Sequence, residues 1–439
     1  MNVSILAAGA GGMYCGSCMR DNALAGALRR GGHGVTLIPL YTPLRSEVED
    51  ASNTEIFYGG VNVYLQHATR LFRHTPRVLD WIFDRPWILS AAGKMGAQTA
   101  PNKLAGLTLD ILNGEEGAAT KELSRLVAFL RDDVKPDVVC LPNLMFVGMA
   151  RAFREALGVP VICELTGEDI FLDAMKDADR HQVRRVIRAR AADVSRFVAT
   201  SDYYARHMAE YLNIPREKID VVYTGISSEY LHPPLPRASG APRTVGYLAR
   251  ICPEKGLGRL MDAFEILRTL PGMANVRLKV AGYLGGRDHK WFDALRKRAT
   301  SIGMGDSIEY LGEVDRAAKL RMLDSIDVFS VPTVYPEAKG IYVLEALARG
   351  VPVVQPTHGS FPELLEATGG GVLVPPGDAG ALARALADLL GDPRRRRQLG
   401  EKGRSIVEST FTEDHMARNM LGVFERAIAS NSRGVMSEP

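Results

Sequence analysis

The chain has 439 residues, of which 46% are hydrophobic and 24% are charged, and its formal net charge is +3. Chains of this length usually exceed what one hydrophobic core supports, so we expect two domains of roughly 200 residues each. The composition is that of an ordinary soluble globular protein, and so small a net charge gives no reason to expect a nucleic-acid partner.

The N-terminal residues 1–12 contain an apolar run but no basic start, and no segment has 18 consecutive apolar residues. We therefore expect neither a signal peptide nor a membrane span, and a cytoplasmic location. The five cysteines, an odd number, indicate reduced thiols. Cys15 and Cys18 form a Cys-x-x-Cys pair. The simplest interpretation is that both are small, buried or half-buried thiols, and the alternative is a redox role.

The first half of the chain opens with a strand, a glycine-rich turn, a helix and a second strand. The strands are predicted at residues 2–8 and 35–40, and the helix at 19–30. Gly11 and Gly12 lie in the turn, where they would let the backbone approach a ligand phosphate or sugar. The glycines do not complete a dinucleotide-binding fingerprint, so they are a weak signal for NAD.

Residues 66–130 depart from this alternation, because arginines are interleaved there with Trp, Phe, Leu and Ile. The simplest interpretation is a helical insertion that packs on the first domain. The alternative is that residues 66–110 form an acceptor-binding helix or make a peripheral contact with the inner face of a membrane, since Trp, Phe and Arg suit an interfacial helix.

The alternation returns with strands predicted at residues 137–141 and 159–165. Thr166, Glu168 and Asp169 follow the second of these strands, and their position makes them candidates for the acceptor side of a site. Asp177-Ala178-Asp179 has the spacing of a metal-binding motif, but it lies in a charged helical stretch and is interpreted as surface.

A Pro-rich stretch at residues 231–242 is typical of a linker. A second alternating series follows it, with predicted strands at 244–249, 276–282, 307–311, 327–331, 352–355 and 371–374. The fold class is therefore α/β, with two Rossmann-like doubly wound domains. The predicted domains are residues 1–235 and 236–411, followed by a C-terminal helix and tail at 412–439.

The second series is organised around residues 335–348, where a loop becomes a helix at the carboxyl edge of the sheet. The free N–H groups of Gly340, Ile341 and Tyr342 would point outward with the helix dipole behind them, which favours an anion. Glu337 and Glu345 flank them as carboxylates suited to pairs of sugar hydroxyls. A ligand with phosphate in the middle and hydroxyl groups on either side is a nucleotide sugar. The alternative is that Glu337 and Glu345 are solvated helix residues, as isolated carboxylates more often are.

Two cations are predicted at the same sheet edge. Arg250 ends the first strand of the second series and Lys255 follows a short loop, so together they would cover a diphosphate. Lys339, just before Gly340, would add a phosphate or carboxylate contact or extend into solvent.

These motifs resemble the retaining GT-B glycosyltransferases of family 4. The similarity runs from Gly246 to Asp378, and residues 35–64 also resemble starch and glycogen synthases. The matching segments are Gly246-Tyr247-Leu248-Ala249-Arg250, Pro253-Glu254-Lys255-Gly256, residues 337–346, Gly350-Val351-Pro352-Val353-Val354, Gly359-Ser360-Phe361-Pro362-Glu363 and residues 371–378.

The resemblance implies a GT-B fold, with a cleft between the domains and a C-terminal helix that crosses back to the first domain. It implies that Arg250 and Lys255 neutralise the diphosphate leaving group, Glu337 holds the donor sugar and Glu345 binds the ribose. The implied reaction is metal-independent transfer of a hexose, with retention, to a glycan, lipid or small-molecule acceptor, and no cofactor. The alternatives are a sugar-nucleotide epimerase, a phosphorylase or a non-catalytic sugar-nucleotide-binding scaffold.

Overall fold

The computed structural model describes residues 1–9, 16–41, 57, 104–235 and 240–435. The chain divides into two compact units, of which the first combines Met1–Tyr223 with Glu413–Pro439 and the second is Thr224–Thr412. The predicted boundaries at residues 235 and 411 lie within the second unit. The predicted insertion is helical over its described part, and its residues 66–103 lie outside the described ranges.

The first unit contains a six-stranded parallel sheet in the order β2-β1-β3-β4-β5-β6. The strand order reverses direction at β1, which is the pattern of a doubly wound sheet. Most of the strand residues are buried, because helices cover a parallel sheet on both faces. The strands are β1 Asn2–Ala7, β2 Gly34–Pro39, β3 Val138–Leu141, β4 Val161–Leu165, β5 Arg196–Ala199 and β6 Ile219–Val221.

Eight helices of the first unit lie in the described residues. They are α1 Gly16–Arg30, α2 Ala105–Leu112, α3 Thr120–Phe129, α4 Ala150–Leu157, α5 Glu168–Asp173, α6 Asp177–Arg190, α7 Asp202–Leu212 and α15 Glu413–Val435. Ser201 begins α7 as its N-cap by accepting the Tyr204 N–H at 3.1 Å. The C-terminal helix α15 packs on α1, and Met420 and Phe424 join Val3 and Ile5 in one hydrophobic core.

The second unit contains another six-stranded parallel sheet, in the order β12-β11-β10-β7-β8-β9. Its strands are β7 Thr244–Leu248, β8 Arg277–Ala281, β9 Ile308–Gly312, β10 Val328–Phe329, β11 Val353–Pro356 and β12 Gly371–Val374. The chain winds to one side from β7 to β9 and to the other side from β10 to β12. The adjacent pair β7 and β10 is therefore the switch point of this sheet.

Helices alternate with these strands. They are α8 Leu257–Thr269, α9 His289–Ser301, α10 Arg316–Asp324, α11 Ile341–Ala348, α12 Phe361–Thr368, α13 Ala379–Gly391 and α14 Pro393–Thr410. Aspartates cap three of them: Asp315 begins α10, Asp378 begins α13 and Asp392 begins α14. The α/β class and the two doubly wound parallel sheets predicted from the sequence are confirmed.

Candidate functional site

The switch point of the second unit brings two loops together at the carboxyl edge of its sheet. Strand β7 is followed by the loop that carries Arg250 and Lys255, and strand β10 by the loop that leads through Glu337 into α11. The Val334 N–H donates to the Glu254 carbonyl at 2.9 Å, which ties the second loop to the first. A crevice between the ends of such strands is where doubly wound sheets hold their ligands.

The backbone at Glu337 is supported from behind by the residues that follow β11. The Ser360 N–H donates to the Glu337 carbonyl at 2.7 Å. Gly359 has a φ of +60°, and a Cβ atom there would overlap the Glu337 backbone. Glycine is therefore required where this turn packs against the Glu337 loop.

The half-buried Lys255 and the buried Glu337 form an ion pair with 2.5 Å between Lys255 Nζ and Glu337 Oε2. Burial favours the neutral carboxyl, but the Lys255 charge and the hydrogen bonds to the carboxylate outweigh it and lower the pKa of Glu337 to about 2. Burial likewise opposes the charged lysine, yet the Glu337 carboxylate raises the pKa of Lys255 above its usual value. Both groups are thus held in their charged forms at neutral pH.

Two tyrosines complete the surroundings of this ion pair. Tyr342 Oη donates to Glu337 Oε2 at 2.8 Å and Tyr335 Oη at 3.4 Å, while both rings lie within 5.4 Å of Lys255 Nζ. Glu337 Oε1 accepts the Lys339 N–H at 3.4 Å. One oxygen of Glu337 is therefore committed to protein contacts, and the other retains capacity to accept a ligand hydroxyl.

Helix α11 begins beside this carboxylate. Gly340 is its N-cap residue, with a φ of +64°, and supplies no side-chain cap. The N–H groups of the first turn precede the intrahelical hydrogen bonds and carry the positive end of the helix dipole. Within the part of the chain that the structure describes, α11 thus begins without a side-chain cap, and Gly340, Ile341 and Tyr342 lie at its N-terminus.

Glu345, in the second turn of α11, is buried with 7% of its surface exposed. Its Oε1 accepts hydrogen bonds from Tyr230 Oη at 2.7 Å and from Lys319 Nζ at 3.0 Å. These partners explain how a carboxylate can lie among the apolar residues of α11. Within the described part of the chain Glu345 Oε2 has no hydrogen-bond partner, so this carboxylate also keeps one oxygen for a ligand.

The two other predicted cations are more exposed. Arg250 lies at the surface directly after β7, and its Nε contacts Cys252 Sγ at 3.4 Å. No described carboxylate lies within 4.0 Å of its guanidinium group. Lys339 is half-buried. Arg250 therefore offers a guanidinium group to an anion at this edge.

The acceptor-side candidates of the first unit follow β4. Glu168 is buried, and its carboxylate accepts the N–H groups of Thr166 and Gly167 and the hydroxyl of Thr166, at 2.8 to 3.0 Å. Tyr204 Oη reaches the same carboxylate at 3.2 Å. Glu168 thus closes the turn between β4 and α5, and the Thr166 hydroxyl proton is used in that turn.

Asp169 differs because it is half-buried and faces α7. Its Oδ1 accepts from Tyr204 Oη at 2.8 Å and its Oδ2 lies 3.0 Å from His207 Nε2. The hydrogen bond to Asp169 raises the pKa of His207. Burial opposes the ionised form of Asp169, but the His207 and Tyr204 hydrogen bonds outweigh it and lower the pKa of Asp169.

Sequence reasoning missed four residues that complete these groups, namely Tyr230, Lys319, Tyr335 and His207. The sequence gives one indirect signal, since an apolar helix around Glu345 requires a partner for its carboxylate. It does not indicate which distant residue supplies the partner. The predicted turn glycines Gly11 and Gly12 lie outside the described residues.

The remaining predictions concern metals, thiols and membranes. Asp177 is exposed at the start of α6, and the described ranges contain no group of three His, Cys, Asp or Glu side chains placed to hold a metal ion. Cys18 is buried in α1, and Cys15 lies outside the described residues. Among the helices that the structure describes, none is both long and apolar enough to cross a membrane.

Comparison with protein families gives one match in each half of the chain. Residues 236–406 match the model of the glycosyl transferases group 1, and residues 22–225 match that of a glycosyl transferase 4-like domain. The two halves of the chain are thus similar to glycosyltransferase models, each of which covers less than half of the chain. The chain has the GT-B fold, as its two parallel sheets and its structural neighbours show.

One relative of this chain is the phosphatidyl-myo-inositol mannosyltransferase of Mycobacterium leprae. It is 32% identical over 240 residues, which are 54% of this chain and 60% of the relative. The chain thus spans less than two thirds of the length of the relative that it matches.

Two solved structures share the fold over almost the whole chain. The sucrose-phosphate synthase of Thermosynechococcus elongatus has a TM-score of 0.71 and 18% identity, covering 98% of this chain and 99% of that one. Anabaena Alr3699/HepE in complex with UDP and glucose has a TM-score of 0.66 and 16% identity, covering 97% and 100%.

Proposed function

We propose that this protein is a retaining glycosyltransferase that moves a hexose from a nucleoside-diphosphate sugar to an acceptor hydroxyl. The observation that carries the proposal is the pair of carboxylates Glu337 and Glu345. Each is buried and held through one oxygen by a lysine and a tyrosine. The other oxygen of each is suited to hydroxyl groups of a ligand.

The donor would span the carboxyl edge of the second sheet. Glu345 would accept hydroxyls of the ribose and Glu337 hydroxyls of the hexose, while the uncapped amides from Gly340 to Tyr342 would accept phosphate or sugar oxygens. Arg250 and Lys255 would contact the diphosphate. The names of the relatives support this assignment, because the Mycobacterium leprae protein is a mannosyltransferase and the Anabaena structure contains UDP and glucose.

The chemistry would consist of positioning and charge stabilisation. In the transfer, the bond between the anomeric carbon and the diphosphate oxygen breaks, and the acceptor oxygen bonds to the same face of that carbon. The acceptor proton passes to the departing diphosphate. The positive charges of Arg250 and Lys255 would stabilise the negative charge that develops on the diphosphate. Because Glu337 keeps Lys255 protonated before the reaction, the protein would not have to reorganise when the bond to the diphosphate breaks.

Metal independence is part of the proposal, because two cations and a helix dipole supply the charge that a metal ion otherwise supplies. The acceptor class (glycan, lipid or small molecule), the cytoplasmic location and membrane contact through residues 66–110 also remain proposals.

The test is a ligand panel of UDP, GDP and ADP with their common sugar conjugates, measured by thermal shift in the presence of EDTA. A ligand at 100 times its dissociation constant adds about 2.7 kcal/mol of stability. We expect the nucleotides of one base to give the largest thermal shift, and we expect Arg250→Ala to weaken the binding of that nucleoside diphosphate at least tenfold. Lys290→Ala, which removes an exposed lysine on α9, is the matched control and should leave the affinity unchanged.

Turnover then separates the enzyme from its alternatives. With a donor identified, Glu337→Ala and Lys255→Ala should each lower transfer at least a hundredfold, and rates within a few-fold of the wild type would refute the site. Conversion of the donor without an acceptor would indicate an epimerase, and dependence on free phosphate a phosphorylase. Donor binding without any turnover would indicate a scaffold.

A further inference from the structure

Helices α5 and α7 of the first unit face each other with matched side chains. Helix α5 follows β4 and helix α7 follows β5, so both begin at the carboxyl edge of the first sheet. Asp169 and Asp173 are four positions apart on α5, where residues at this spacing lie on one face. Asp169 contacts His207, and Asp173 accepts from Tyr211 Oη at 2.7 Å.

The facing side of α7 is a row of rings at spacing four. The Tyr203 and His207 rings are parallel, with an interplanar angle of 6° and 5.9 Å between their centroids, and His207 and Tyr211 are 5.7 Å apart. All three rings are half-buried, so each keeps an accessible part. Ring faces beside carboxylates are the surfaces on which a hydroxylated ring packs its C–H groups and donates its hydroxyls.

Of the three acceptor-side candidates, the geometry favours Asp169. The Glu168 carboxylate already accepts hydrogen bonds from the Gly167 N–H and from the Thr166 hydroxyl, so neither Glu168 nor Thr166 is well placed to bind a ligand. Each Asp169 oxygen has one side-chain partner, His207 or Tyr204, and an ionised carboxylate has about four lone-pair sites. Asp169 can therefore accept further hydrogen bonds while its orientation is fixed from two sides.

We propose that Asp169 binds a hydroxyl of a neutral hydroxylated ring in the acceptor, that Tyr203 and His207 pack against this ring, and that His207 positions Asp169. The proposal rests on the proposed transferase function and assigns its acceptor class. A phosphate group at this position would meet the Asp169 and Asp173 carboxylates, which repel it. Arg184 lies over the Tyr211 ring at 4.0 Å and donates to the Tyr211 carbonyl, so its charge is held at the end of the row.

The test uses saturation-transfer NMR on the full chain, in the presence of whichever of UDP, GDP and ADP binds most tightly in the ligand panel. The neutral probes are myo-inositol and methyl α-D-glucopyranoside, and the anionic probe is myo-inositol 1-phosphate. We expect a neutral probe to bind the wild type, and we expect Asp169→Asn to weaken the affinity for that probe at least tenfold. Arg206→Ala, an exposed α7 residue paired with Asp202, is the control and should change nothing.

Two variants of His207 distinguish positioning from simple packing. His207→Gln keeps an N–H donor for Asp169, and His207→Phe keeps a ring against Tyr203. If His207 positions Asp169, the glutamine variant should retain neutral-ring affinity within threefold, and the phenylalanine variant should lose about tenfold. Equal losses in both variants, at unchanged melting temperature, would overturn the positioning role.

The acceptor assignment fails if no neutral probe binds the wild type, if only the phosphorylated probe binds, or if Asp169→Asn has no effect. Measurement of UDP, GDP and ADP affinity on the same protein separates this failure from that of the transferase proposal. Binding of one of these nucleotides without ring binding removes the acceptor assignment alone. Absence of binding of all three removes the proposed function itself.

Discussion

Removal of Lys255 should leave Glu337 buried without its counter-charge. The lowering of the pKa of Glu337 from 4.5 to about 2 corresponds to about 3 kcal/mol of stability at neutral pH, at about 1.4 kcal/mol for each pH unit. Breaking a buried ion pair by removing one partner typically costs about 3–5 kcal/mol. We therefore expect Lys255→Met to lower the free energy of unfolding of the second unit by about 3 kcal/mol at pH 7.

The effect should depend on pH in a defined direction. Because the folded-state pKa of Glu337 is lowered, its contribution is fully present above about pH 5 and is lost as the pH falls toward 2. In Lys255→Met, burial is no longer opposed by the lysine, so the pKa of Glu337 should be raised. The difference in stability between the wild type and the variant should thus narrow between about pH 5 and pH 3.

Urea unfolding at pH 7, 5 and 4 measures this effect. Trp291 reports on the second unit in a full-length background in which Trp81 and Trp87 are replaced by Phe. Lys255→Met combined with Glu337→Gln should be more stable than Lys255→Met alone, since no uncompensated charge remains. A Lys255→Met loss below 1 kcal/mol at pH 7, or a difference that does not narrow in acid, would refute the reasoning.

Three further changes test the packing around the site. Gly359→Ala combines a positive φ with a clash against backbone, so it should cost about 3 kcal/mol, against about 1 kcal/mol for Gly377→Ala, where φ is also positive but the space is open. Equal losses of stability in the two variants, measured by thermal melting, would exclude the clash at Gly359. Tyr230→Phe removes a donor to Glu345 and should weaken nucleotide binding about fivefold by titration, so an unchanged affinity would show that this hydrogen bond does not matter. Asp392→Ala removes the N-cap of α14 and should cost about 1 kcal/mol in urea unfolding, whereas no loss would mean that the cap is dispensable.

The alternation of strands and helices could be predicted from the sequence because burial in a parallel sheet leaves a local pattern. Strand β12 lies at the predicted residues 371–374, and β4 ends at residue 165, as predicted. Strand β10 is a contrasting case, since the apolar run at 327–331 predicts five residues and the structure pairs two, Val328 and Phe329. Local hydrophobicity indicates a buried segment but does not set the length of its pairing.

The site was predictable where it depends on local backbone and only in part where it depends on tertiary pairing. The loop, the helix N-terminus at Gly340 and the two carboxylates follow from residues close together in the chain. Lys319 and Tyr230 lie 26 and 115 positions from Glu345, and no local pattern marks them as its partners. The same is true of His207, which is 38 positions from Asp169.

The C-terminal helix α15 has a consequence for how the protein is made. It supplies Met416, Met420 and Phe424 to the core of the first unit, although the whole second unit is synthesised before it. A ribosome that has just completed residue 412 therefore holds a first unit whose apolar face on α1 is uncovered. Folding of the first unit has to wait until the residues of α15 emerge from the ribosome. During this interval the nascent chain exposes apolar surface of the kind that chaperones bind.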